Sequence, residues 1–173
     1  MARLPLADGH DDAPLNLFRM VAHAETAYGA WLQYGGTLLT RLELDPVLRE
    51  LVILQVAHTV GSKYEWVQHD PIALAVGATR EQIDAIEAGR HDDPAFEEIQ
   101  SLVLRATRTA LGEGAASEEQ VAALTERLGP RQVVELLLVI GNYAGIAMLI
   151  ASTGLEPDPP LSAEQLLQAR DST

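Results

Sequence analysis

Cysteine is absent from the 173 residues, which removes structural disulfides, thiolate nucleophiles, cysteine-ligated zinc, iron–sulfur clusters and every dithiol peroxidase mechanism. Basic residues are scarce as well. Twelve Lys and Arg against 25 Asp and Glu leave a formal net charge of −13, and a surface of that sign repels phosphate backbones and anionic headgroups. Neither nucleic acid nor a membrane surface is therefore an expected partner. Strand signals are nearly missing, since no run of alternating β-branched residues is bounded by turn pairs. Two catalytic motifs are missing too. Gly35-Gly36 lacks the lysine and flanking strand of a phosphate loop, and no Gly-x-Ser-x-Gly elbow occurs. The first dozen residues, with Asp8, His10, Asp11 and Asp12, lack the apolar core of a secretory signal, so a cytoplasmic protein is expected.

What is present suits one all-helical domain over residues 1–173, with an N-terminal arm (1–13) and a C-terminal tail (155–173). The pattern predicts a compact bundle of about eight helices. Pro14 leads a first helix with Leu15, Leu17, Phe18 and Val21, and Ala27 to Leu42 carries Trp31, Tyr34, Leu38 and Leu42 at three-and-four spacing. Asp45-Pro46 opens a third helix, apolar on nearly every side, that Gly61 can end after Val60. Ser62 and Glu65 read as a capping box for the next helix, which runs to Val76 with a kink or break expected at Pro71. Thr79 with Gln82, Asp93-Pro94, Ser117 with Gln120, and Pro130 open four more, and Ser162 with Gln165 a short last one. Val133 to Ile150 is apolar enough to raise a transmembrane question, but Glu135 and Asn142 interrupt it. A central core helix is the reading.

Ionisable groups among apolar neighbours point to chemistry, because a charge is seldom buried without a partner or a task. The densest cluster is Arg49, Glu50, His58, Tyr64, Glu65 and His69. Glu65 and His69 are four apart and share a helical face, and a hairpin across Gly61 can bring Glu50 alongside them. Two carboxyl groups and a histidine in a dry pocket form a proton relay. Glu65 has a second reading as a helix cap, and the sequence leaves both open. Glu-x-x-x-His lacks a third ligand, so no metal is expected. His10, His23 and His91 lie in or near acidic turns or early helices and read as solvated.

At these residues the chain resembles the carboxymuconolactone decarboxylase family, which includes the alkylhydroperoxidase D-like proteins. The resemblance rests on Arg49-Glu50-Leu51, on Gly61-Ser62-Lys63-Tyr64-Glu65-Trp66 with His69, on Ala73 and Gly77, and on the helix start Thr79-Arg80-Glu81-Gln82-Ile83. It extends more loosely to Asn142-Tyr143. It implies an all-helical fold assembled into trimers or hexamers. The peroxidase branch carries glutamate, a cysteine twelve residues on, a second cysteine three further and a histidine four beyond. Those positions hold Glu50, Ser62, Glu65 and His69 here, which places the chain in the branch without the redox pair.

The resemblance thus implies a cofactor-free lyase acting on a small lactone or oxo-acid, with Glu50, Glu65 and His69 catalytic. In that reading Glu65 orients His69. Arg49, as a carboxylate clamp, and His58, Tyr64, Trp66 and Tyr143 would meet the substrate. The alternatives are a non-thiol redox enzyme of the same fold and a non-catalytic oligomeric binding protein.

Overall fold

The computed structural model describes residues 2–9, 13 and 15–159. Among them are seven helices and no strand: α1 (Asn16–Val21), α2 (Glu25–Thr40), α3 (Pro46–Val60), α4 (Lys63–Val76), α5 (Arg80–Glu87), α6 (Glu98–Glu113) and α7 (Glu118–Thr153). The rest of the bundle is arranged around α3, which packs against α4, α5, α6 and α7 and buries an unbroken run from Leu48 to Ala57. Its start is fixed locally: Pro46 needs no amide partner at the first position, and the Asp45 carboxylate accepts from the amides of Val47 (2.9 Å) and Leu48 (3.1 Å). Its end is fixed by Gly61, whose φ of +71° suits glycine. The reversal there lets the Ser62 amide donate to the Ala57 carbonyl at 2.8 Å. This turn folds α4 back along α3 and carries Glu65 and His69 towards Glu50.

Three apolar clusters hold the helices in place. Leu38, Val52, Ile53, Val56, Val103, Leu136 and Val139 join α2, α3, α6 and α7, and Leu51, Leu54, Ala73, Ile83, Ile86 and Leu104 join α3 to α6 through the other side. The third gathers Leu15, Leu17, Met20 and Val21 around Tyr64, Ile150 and Leu155. Full burial of each such aliphatic side chain contributes about 1.5–3 kcal/mol, which outweighs the weak helix preference of the β-branched residues in α3.

Several expected boundaries shift. Helix α2 spans Glu25–Thr40 rather than Ala27 to Leu42. Helix α4 is continuous through Pro71. Helix α6 starts at Glu98, because Asp93 is engaged in a turn, accepting from the Ala95 amide (3.0 Å) and pairing with Arg90 (2.9 Å). Helix α1 begins at Asn16; Pro14, His10 and the helix expected from Ser162 lie outside the described residues.

Helix α7 begins with a Ser117–Gln120 capping box and ends at Gly154 (φ +67°). It is two helical segments joined at Gly129, whose φ/ψ of 78°/162° lies outside the helical region and is followed by Pro130. By length and composition alone this helix could cross a membrane. In the fold, Leu136, Val139, Ile140 and Tyr143 face the core. Glu135 has a structural task, its carboxylate accepting from the Leu44 amide (2.8 Å) and the Arg131 guanidinium (3.1 Å). The Arg3 side chain donates to the carbonyls of Ala151 and Ser152, where a cation meets the negative end of α7.

Candidate active site

Arg49 and Glu50 lie in the second turn of α3, Glu65 and His69 one turn apart on α4, and Tyr143 on the inner face of α7. None is more than 7% exposed. The Glu50 carboxylate is held on both oxygens: Arg49 Nε donates to Oε1 at 2.9 Å and His69 Nδ1 lies 2.8 Å from Oε2. Burial alone would raise the Glu50 pKa, but the charges and hydrogen bonds of His69 and Arg49 outweigh it and keep this carboxyl below its ordinary range. Glu50 is thus ionised and accepts. His69 Nδ1 is therefore the donating nitrogen, which leaves Nε2 for proton exchange. The His69 ring meets Tyr143 edge-on, with centroids 4.9 Å apart and planes at 90°.

Glu65 is the opposite case. Neither carboxyl oxygen has a hydrogen-bond partner, and burial pushes its pKa up from 4.5 to about 8. The nearby Ser62 hydroxyl, itself unpartnered, offsets only part of that rise. Tyr143 lies within the influence of both carboxyl groups; burial first, then Glu50 and Glu65, push its phenol well above the usual value. The expected Ser62–Glu65 capping box is not formed, because the Ser62 amide it would satisfy is already bonded to Ala57. Glu65 also does not orient His69. Glu50 does, from the neighbouring helix.

Residues 25–108 match the model of the carboxymuconolactone decarboxylase family. Over that stretch the chain is similar to the carboxymuconolactone decarboxylase family. The matched region contains Arg49, Glu50, Glu65 and His69; Tyr143 lies beyond it. Solved structures agree on the fold. An uncharacterized peroxidase-related protein from Silicibacter sp. TM1040 superposes with a TM-score of 0.73 at 15% identity, over 95% of this chain and 93% of that one. An alkylhydroperoxidase AhpD core, an uncharacterized peroxidase-related protein from Ralstonia eutropha JMP134, gives 0.76 at 16% identity, over 98% and 96%. The fold is alkylhydroperoxidase D-like. A comparison with curated proteins gives no match.

Of the residues singled out in the sequence, the fold brings Arg49, Glu50, Glu65, His69 and Tyr143 together. It places three elsewhere. His58 is exposed at the end of α3, near the backbone of Gly89. Trp66 packs, partly buried, against the cluster joining α3 to α6. Tyr64 turns its ring into the α1 cluster and its hydroxyl to Asp158, 94 residues away, while also accepting from the Leu17 amide at 3.3 Å. His91, read as solvated, is buried with Nδ1 unpartnered, and desolvation, then Arg108 and His58, lower its pKa. Asp158, Asn16 and Gln68, which secure Tyr64 and residues 155–159, carried no sequence signal.

The Glu65 environment makes stability depend on pH. In the fold this carboxyl keeps its proton up to about pH 8, whereas the unfolded chain releases it near 4.5. Between those values the native state binds a proton that the unfolded state lacks, so stability falls as pH rises, by at most about 1.4 kcal/mol per unit. The fall ends above the folded pKa. Glu50 acts in the other direction: with its pKa lowered, its contribution is present above the ordinary carboxylate range and is lost as pH falls through the folded value. Urea titrations between about pH 5 and pH 8 should show the decline, and Glu65→Gln should flatten it. A slope unchanged by the substitution would show that Glu65 ionises as an ordinary carboxyl.

Proposed function

We propose that the chain is a cofactor-free acid–base lyase acting on a small lactone or oxo-acid. One observation carries this reading: two buried carboxyl groups beside a single histidine are driven to opposite protonation states, Glu50 ionised and Glu65 protonated at neutral pH. A base-orienting carboxylate and a proton-donating carboxyl are the two parts such chemistry needs.

In decarboxylation of an oxo-acid, the bond from the carboxylate to the neighbouring carbon breaks and CO2 leaves. The bonding pair moves into the ketone to form an enolate. Glu65 gives its proton to that oxygen, which lowers the cost of charge developing in a dry site. His69 Nε2, carrying a proton from solvent, delivers it to carbon, and the enol proton returns to Glu65. For a lactone isomerisation the same Nε2 first removes the carbon-bound proton. Glu50 holds the histidine, and Arg49 holds Glu50 through Nε, leaving its Nη atoms for a substrate carboxylate. With no cysteine at positions 62 or 65, a dithiol cycle plays no part.

The test is turnover of small 3-oxo-acids and carboxylated lactones, followed by CO2 release without added cofactor or thiol. Activity that disappears in Glu65→Gln supports the assignment. Activity that survives it places the acid elsewhere.

Self-association as a trimer or hexamer belongs to the same reading. Val134, Leu137, Leu138 and Met148 stand exposed along α7, an apolar stripe of the kind that a second copy could cover. Light scattering should give about three or six times the chain mass of 18.7 kDa. A monomer mass at micromolar concentration would remove the claim.

A further inference from the structure

The five site residues are sealed, so a substrate reaches them only if some cover lifts. On α4 successive residues turn about 100°, and the Glu65/His69 stripe is flanked by Trp66/Asp70 on one side and Tyr64/Gln68 on the other. The first flank is fixed: Trp66 packs into the cluster joining α3 to α6, and Asp70 pairs with Arg80 of the capped helix α5. The second lies under residues 155–159, Leu-Glu-Pro-Asp-Pro. Leu155 is buried against α1 and Tyr64, and the two prolines restrict the backbone on either side of Asp158. The Asp158 carboxylate accepts from the Asn16 amide (2.9 Å), the Asn16 side-chain amide and the Tyr64 hydroxyl, while Gln68 Nε2 donates to the carbonyls of Asp158 (3.1 Å) and Pro159 (3.2 Å). Helix α1, six residues long with no side-chain cap, is tied to α4 by this carboxylate, by the Leu17 amide donating to the Tyr64 hydroxyl, and by the packing of Leu17, Met20 and Val21 around Tyr64.

We propose that residues 155–159 form a strap, latched by Asp158, whose release with α1 uncovers the Tyr64/Gln68 flank and admits substrate to Glu65 and His69. The proposal rests on the acid–base reading of that site. A six-residue helix without a side-chain cap, seated by one small apolar cluster and a handful of polar contacts, belongs to the part of a fold that opens locally, well below the cost of global unfolding. Helices α3 and α4, packed on several sides, do not.

The test labels histidines in the full-length protein with diethyl pyrocarbonate and maps the products by mass spectrometry. Exposed His23 serves as the reference and buried His91 as the sentinel for global loosening. In the wild type His69 should label far more slowly than His23. Asp158→Ala should speed His69 labelling about tenfold or more, the scale set by losing hydrogen bonds to a charged group, with His91 still protected. Asn16→Ala, which removes the side-chain donor and keeps the amide, should give a smaller rise in the same direction. An unchanged His69 rate in both variants overturns the strap, as does a rise shared by His91. Labelling is independent of turnover, so a strap that opens on a protein without lyase activity stands while the reaction falls.

Discussion

Glu50→Ala is expected to destabilise the protein by about 3–5 kcal/mol, a large share of the 5–15 kcal/mol that usually separates folded from unfolded states. The carboxylate is fully buried and bonded to both Arg49 and His69, so its removal strands a guanidinium and an imidazole N–H where water does not reach. The vacated volume adds a cavity cost in α3, at the centre of the bundle. Glu50→Gln keeps the volume but sets an NH2 group against one of two donors, so it should also destabilise, by less. Surface pairs give the contrast. Arg127 and Glu98 are 3.0 Å apart but mostly exposed, and Arg127→Ala should change stability by less than about 1 kcal/mol. Urea unfolding of the three variants ranks these effects. A Glu50→Ala protein within about 1 kcal/mol of wild type would mean that the Arg49–Glu50–His69 group is not a desolvated unit.

Where helices start and stop was legible because those signals are local. Asp45-Pro46, Gly61, Thr79 with Gln82, Ser117 with Gln120 and Pro130 each act within a few residues, and the structure uses all of them. Asp93-Pro94 carried the same kind of signal, yet it makes a turn before α6, since an Asp can cap an Asx turn as well as a helix. The membership of the site was partly legible, its wiring less so. Spacing of four suggested Glu65 for His69; the bond goes to Glu50, 19 residues away, because the α3–α4 register set at Gly61 puts that carboxylate against Nδ1. The same turn consumes the Ser62 amide and so dissolves the expected capping box. Tyr64 shows the limit most plainly: its partner Asp158 is 94 residues distant, and no local pattern encodes such a contact.

Glu65→Gln is expected to lower turnover by about 10²- to 10⁴-fold on any substrate the wild type converts, the range for losing a positioned acid–base group. The fold gives no reason for collapse. Glutamine is neutral, matches the protonated carboxyl in shape and removes a group whose ionisation opposes folding as pH rises, so the variant should be as stable as wild type below about pH 4.5 and increasingly more stable from there up to about pH 8. Loss of rate with gain of stability is a pairing that a structural role for Glu65 would not produce. The pH profile adds a second readout. A general acid works only while protonated, so wild-type kcat should decline as pH rises through about 8, the pKa to which burial pushes this carboxyl. In Glu65→Gln the residual rate should lose that limb. His69→Ala should fall comparably in rate, since Nε2 is the other proton-carrying atom. A Glu65→Gln enzyme that retains full activity, or a wild-type profile flat through pH 8, would move the acid to another group and leave Glu65 a buried carboxyl without a task.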